Sequence, residues 1–203
     1  SGTFLDKAYS LDTPEATRAH YDRWAGSYDD EIAANGYATP ARVAQALAAH
    51  VPDRTAPVLD YGCGTGLSGM ALHAAGFAVI DGMDPSAAML AGARQKRVYR
   101  ALTRIDLADT APVPQGAYGA IAAAGVIGVG AAPAQTLDLL LAALPPGGRL
   151  AFSLNDHALA DPQFEGRLAP WLERGDARLL FRAHGPHLPG AGLGATVLVV
   201  ARA

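Results

Sequence analysis

Three glycines at alternate positions break an apolar run in Val58-Leu59-Asp60-Tyr61-Gly62-Cys63-Gly64-Thr65-Gly66, and no other segment constrains the fold as tightly. The run ahead of them, from about Pro57 to Tyr61, reads as a short buried strand with an aspartate near its end. The stretch after them, Leu67 to Ala75, is apolar and helix-compatible. Glycine is needed where backbone turns tightly or approaches a ligand with no Cβ in the way. The start of the following helix offers free N–H groups to a polar ligand. Strand, glycine-rich turn and helix together imply a site for a nucleotide-type cofactor.

The rest of the chain repeats the alternation. Thr13 ahead of Pro14-Glu15 is a helix start, and that helix is expected to run through Tyr21 and Trp24 towards Gly26. A second spans Thr39-Pro40 to His50. Further strands are predicted at Phe77 to Met83, Val98 to Ile105, Ala117 to Ala124 and Arg149 to Leu154, with helices at Ala87 to Gln95 and Pro133 to Leu144. A helix from Pro162 to Arg174 and strands at Ala177 to Ala183 and Ala195 to Ala201 complete the pattern. Such alternation predicts right-handed crossovers and a parallel sheet with helices on both faces. The last two strands are joined by Gly185 to Gly194, which is rich in glycine and proline, so they should pair antiparallel. The expected fold is Rossmann-like α/β: a mostly parallel seven-stranded sheet with an antiparallel last strand. A length of 203 residues, 50% hydrophobic, suits one domain, with 1–52 a helical entry segment and 53–203 the core.

Charge and cysteine content narrow the function classes. A net charge of -3 gives no global attraction to phosphate backbones, so no nucleic-acid partner is expected. The single cysteine, Cys63, permits no disulfide or cysteine metal cluster within the chain and suggests a reducing, cytoplasmic compartment. No apolar span approaches membrane length, and the expected assembly is a monomer or homodimer.

Two cofactors compete for the glycine loop. Gly64-x-Gly66-x-x-Gly69 satisfies the dinucleotide fingerprint, with Asp84 at about the distance of a ribose-binding acid. Against that, Asp60 precedes the first glycine by two positions, and a pyrophosphate gains nothing from a nearby carboxylate. A ligand carrying an ammonium group does.

The register Asp60-x-Gly62-x-Gly64-x-Gly66, with Asp84 closing the next strand, resembles the class I S-adenosylmethionine-dependent methyltransferases. The likeness extends to Tyr21-Asp22-Arg23-Trp24-Ala25-Gly26-Ser27-Tyr28-Asp29, which resembles a Y-D-x-W-A-x-x-Y-D entry helix, and to Gly82-Met83-Asp84-Pro85-Ser86. Ile105-Asp106-Leu107 and Pro145-Pro146-Gly147-Gly148-Arg149-Leu150 also match. The resemblance implies S-adenosylmethionine as cofactor. It places Asp60 at the methionine ammonium beside Gly62, Cys63, Gly64, Thr65 and Gly66, and Asp84 with Pro85 at the ribose. Met89, Asp106 and Leu107 would meet the adenine, Ala124 would stand near the methyl group, and Tyr21, Trp24 and Tyr28 would fold over the methionine end.

Departures from the family pattern bear on the acceptor. Gly119 stands where many relatives carry an aspartate, and Ala124 to Gly130 lacks the Asn-Pro-Pro-aromatic signature of enzymes acting on planar amide or adenine nitrogens. No metal site is expected. A small-molecule acceptor is the remaining expectation, with no catalytic residue assigned; His20, His157, His184 and His187 are candidate bases because histidine titrates near neutrality. A dehydrogenase using NAD is the main alternative, weakened because Lys7 and Lys96 are the only lysines and form no short-chain tyrosine–lysine pair. A non-catalytic cofactor-binding protein on the same fold is the other.

Overall fold

The computed structural model describes residues 4–8, 10–11, 13–106 and 108–203. The entry segment contributes helices α1 (Phe4–Ala8), α2 (Pro14–Trp24), α3 (Tyr28–Ala34) and α4 (Thr39–His50). The α2 start is as the sequence dictates: Thr13 Oγ1 accepts from the Ala16 N–H at 3.1 Å. Its end is earlier than expected, because the chain turns after Trp24 and restarts as α3 at Tyr28.

The core then runs β1 (Val58–Tyr61), α5 (Leu67–Ala74), β2 (Ile80–Asp84), α6 (Ala87–Lys96), β3 (Ala101–Arg104), β4 (Ala120–Ala123), α7 (Thr136–Ala143) and β5 (Arg149–Asn155). Three short helices follow, α8 (Asp156–Leu159), α9 (Pro162–Gly166) and α10 (Ala169–Glu173), before strands β6 (Ala177–Leu188) and β7 (Leu193–Arg202). The single helix expected over Pro162 to Arg174 is therefore two. Pro170 has no N–H to continue an α-helix and sits in the first turn of α10 instead.

Among the described residues the sheet has seven strands in the order β3-β2-β1-β4-β5-β7-β6. All pairs are parallel except those of β7, which runs antiparallel to both β5 and β6. The hairpin is longer than predicted, since β6 continues through Gly185 and Pro186. Proline is tolerated there because β6 is an edge strand, and the register shifts between Pro186 and Leu188.

Alternation along the strands divides the core. Leu59, Ile121, Phe152 and Leu198 face one layer with Leu137, Leu140 and Leu141 of α7. Val58, Ala122, Ala151 and Val199 face the other with Val43 and Leu47 of α4 and Leu72 of α5. The three α7 leucines are fully buried, each stabilising by ~1.5–3 kcal/mol. Arg42 of α4 binds the hairpin to this layer, donating to the carbonyls of Pro186, Ala183 and Ala195 at 2.8–2.9 Å. Strand order reverses at β1, which pairs with β2 on one side and β4 on the other. In an open α/β sheet the crevice beyond the strand ends at such a point is where ligands bind.

Candidate functional site

A cavity of about 310 Å³ opens at that crevice. Its floor is the turn after β1. Gly62 has φ +69°, and a Cβ there would lie 2.5 Å from a γ-carbon of Val126, so this turn admits only glycine. The N–H groups of Gly62 and Cys63 both donate to Met83 O, at 2.8 and 3.0 Å, which fixes the loop to the end of β2. Gly66, at φ +96°, opens α5; its Cβ would come within 3.1 Å of the Ala93 backbone. It therefore serves the packing of α5 on α6 and does not line the cavity.

Asp84 closes β2 at the cavity wall. Its Oδ2 accepts from the Gly64 N–H and its Oδ1 from the Ser86 N–H, both at 2.9 Å. Burial lifts its carboxyl to about 6, the two N–H donors opposing that rise and Asp22 adding to it. Ser86 in turn caps α6, accepting from Met89 N at 3.0 Å. Cys63, Gly64, Thr65, Pro85, Met89 and Ala124 are further walls, together with Tyr21 and Tyr28.

Asp60 takes a different place from the one expected. Strand alternation turns it away from the cavity, into the layer between β1 and α5, where it is fully buried. Its Oδ2 accepts from Ser68 Oγ and Tyr99 OH, each at 2.7 Å, and Oδ1 has no partner among the described residues. Burial pushes this carboxyl to about 7, against the lowering effect of the two hydroxyls. Tyr99 OH also accepts from Gly69 N at 3.1 Å, so Asp60 braces the first turn of α5 from behind. The same packing explains Gly69: a Cβ there would lie 2.2 Å from Tyr99 OH. The thiol of Cys63 is buried, which pushes its pKa up and keeps it protonated.

The residues of the entry segment divide by role. Tyr21 and Tyr28 line the cavity, whereas Trp24 lies behind them, 1% exposed, its indole N–H donating to Glu31 at 2.6 Å. Trp24 stacks on Tyr21 and meets Tyr28 edge-on at 4.7 Å between centroids, so it supports the two tyrosines without reaching the large cavity. The aspartates are latches. Asp22 accepts from Ser86 Oγ at 2.5 Å, and Asp29 accepts from Thr65 Oγ1 at 2.5 Å while pairing with Lys96. Each thus ties the entry helices to one of the two loops that flank the cavity. The sequence reading missed this, because the aspartates' partners lie 36 to 67 residues away.

Other expected residues lie farther out. Asp106 is exposed after β3, its carboxylate taken by the Ala108 N–H at 2.9 Å, and the wall at that end is Ile105 instead. Leu107 lies outside the described residues. Tyr37, Pro40, Arg18 and Val126 are walls that sequence reasoning did not find. Of the four histidines considered as bases, His157 and His184 are exposed, the latter 2.9 Å from Asp156. His20 is enclosed by Phe4, Tyr21 and Trp24, and burial lowers its pKa. His187 is the exception and lines a smaller chamber next to the cavity. Among the described residues no group of three or more His, Cys, Asp or Glu side chains could hold a metal ion, and no helix is long and apolar enough to cross a membrane.

Comparison with known proteins agrees with this fold. Residues 33–193 match a family described as "Methyltransferase domain". The human protein named methyltransferase-like protein 27 is 31% identical over 157 residues, which is 76% of this chain; the chain spans 63% of that relative's length. A TehB-like SAM-dependent methyltransferase from Corynebacterium glutamicum shares the fold at 22% identity and a TM-score of 0.61, covering 91% of this chain and 99% of the other. A SAM-dependent methyltransferase from Thiobacillus denitrificans, solved with S-adenosyl-L-homocysteine, is similar over 80% of this chain and 91% of its own (TM-score 0.57, 15% identity).

Proposed function

This chain belongs to a methyltransferase-domain family, and from that premise we propose that it uses S-adenosylmethionine to methylate a small-molecule acceptor at the cavity beside the β1 and β2 loops. One observation carries the proposal: a nearly buried carboxylate, Asp84, stands in the wall of a cavity whose floor is a glycine turn at the point of strand reversal. The residues suit the nucleoside end of the cofactor. Asp84 presents acceptor oxygens to paired hydroxyls, and Pro85, Met89 and Ile105 form an apolar slot for a planar base. The loop from Gly62 to Thr65 leaves room for backbone approach. A volume of about 310 Å³ is at the lower end of the usual range for ligand sites, ~300–1,000 Å³, as suits one nucleoside-sized ligand.

When bound, S-adenosylmethionine supplies a methyl group already activated on a sulfonium. The protein's work is alignment and exclusion of water, and alignment alone is worth ~7–11 kcal/mol in favourable cases. Tyr21 and Tyr28 cover the cavity, and the Asp22 and Asp29 latches hold them to the loops beneath. The absence of a global positive charge favours a small-molecule acceptor over a nucleic acid.

The test is transfer from S-adenosylmethionine carrying an isotopic methyl group, in the presence of a fractionated metabolite pool. Label should enter a low-molecular-weight fraction. Label found only in protein or nucleic acid would contradict a small-molecule acceptor, and no transfer to any fraction would leave a cofactor-binding protein without this activity.

A further inference from the structure

Next to the cofactor cavity lies a chamber of about 50 Å³, separated from it by Tyr28 and Tyr37. It is bounded by Gly125 and Ile127 beyond the end of β4, by Ser153 and Asn155 in the last residues of β5, and by His187 and Leu188 at the end of β6. Among the described residues no Asp, Glu, Lys or Arg lines it. Ser153 Oγ accepts from the Gly125 N–H at 2.8 Å, and Asn155 Oδ1 accepts from the Ala158 N–H at 2.9 Å, so these oxygens are already engaged. His187 is different. Its Nδ1 is held by Thr39 Oγ1 at 2.7 Å and its ring meets Tyr37 edge-on at 5.4 Å, while Nε2 has no hydrogen-bond partner among the described residues.

We infer that this chamber seats the methyl acceptor's head group, that the head is small and uncharged, and that its polar atom hydrogen-bonds to Nε2 of His187. The inference rests on the methyltransferase reading and names the acceptor class for the same site. Size follows from volume: an apolar cavity that admits benzene measures ~150 Å³, so about 50 Å³ takes a head of a few non-hydrogen atoms, such as a hydroxyl, thiol or amide on a short stem. Neutrality follows from the walls, because a charge taken from water into a chamber without a counter-charge is strongly disfavoured. The groups that could supply charge are themselves neutral at pH 7. Burial holds the His187 imidazole at about 4, with Arg42 and His157 lowering it further and Asp156 opposing. Burial also raises the Tyr28 phenol well above its ordinary value.

Ethanol, acetate and ethylammonium differ in charge and little in size, are small enough for the chamber, and serve as probes. Their binding at pH 7 is read from NMR shifts of the Ile127 and Leu188 methyl groups, with and without S-adenosylhomocysteine. Ethanol should bind at least tenfold more tightly than either ion. His187→Asn keeps a polar atom near the position of Nδ1 and removes Nε2, and should weaken ethanol binding about fivefold, the worth of one neutral hydrogen bond. His187→Gln places an amide near Nε2 and should recover most of that loss. Ions binding as tightly as the alcohol, or Asn and Gln variants behaving alike, would overturn the assignment. If the variants do not fold, the charge series on the unaltered protein decides by itself. Failure of S-adenosylhomocysteine to bind in the same samples would instead count against the methyltransferase reading.

Discussion

In Asp84→Ala, affinity for S-adenosylhomocysteine should fall roughly 10- to 150-fold while the protein remains folded. A hydrogen bond to an ionised group is worth ~1.5–3 kcal/mol, and each 1.4 kcal/mol is tenfold in affinity. The carboxylate already receives the Gly64 and Ser86 N–H groups, so it is held at the cavity wall before any ligand arrives. The α6 cap through Ser86 Oγ and Met89 N does not depend on Asp84 directly, and the helix start should survive the substitution. Titration calorimetry on the folded variant gives the answer. Unchanged affinity would reduce Asp84 to a tether between two loops.

Asp60→Asn should stabilise the ligand-free protein at pH 8 by up to about 4 kcal/mol and leave it nearly unchanged below pH 4. The buried carboxyl sits at about 7 in the folded state against an ordinary 3.8. The folded protein therefore holds this proton more tightly than the unfolded chain does. Its contribution is fully present below pH 4 and is lost as pH rises through 7, at 1.36 kcal/mol per unit of pKa difference. Asparagine cannot ionise, and its oxygen still accepts from Ser68 and Tyr99. Urea unfolding of both proteins at pH 4 and pH 8 measures the difference. Equal stability at pH 8, or the same gain at both pH values, would mean that Asp60 is not carrying a buried charge at neutral pH.

The two aspartates illustrate what the sequence made legible. Glycine spacing and the acid at the end of the next strand located the loop and the cavity wall, because backbone constraints of that kind act over a few residues and leave a local signature. The orientation of Asp60 was also available in principle: Tyr61 lines the cavity, and alternation along a strand puts its neighbour on the other face. The family resemblance assigned Asp60 to the ligand, whereas Ser68 and Tyr99 draw it into the layer behind the loop.

The entry segment was harder to read. Tyr21, Trp24 and Tyr28 share a face only if one helix continues through all three, and the turn after Trp24 breaks that register. Trp24 is a buried residue that reaches only the smaller chamber, and the tyrosines are the cover. The latches of Asp22 and Asp29, the three carbonyls on Arg42 and the pairing of His187 with Thr39 all join residues more than 30 positions apart. No local pattern announces such contacts. The extension of β6 through Pro186 was hidden for another reason, since proline and glycine there read as loop until the strand's place at the sheet edge is known.

The central claim is that the glycine loop and Asp84 form a site for S-adenosylmethionine rather than for a dinucleotide. Calorimetric titration of the unaltered protein with S-adenosylhomocysteine, and separately with NAD, tests it most directly. The expected result is saturable binding of S-adenosylhomocysteine at a single site, with no detectable heat from NAD at the same concentrations. Saturable binding of NAD with no response to S-adenosylhomocysteine would contradict it.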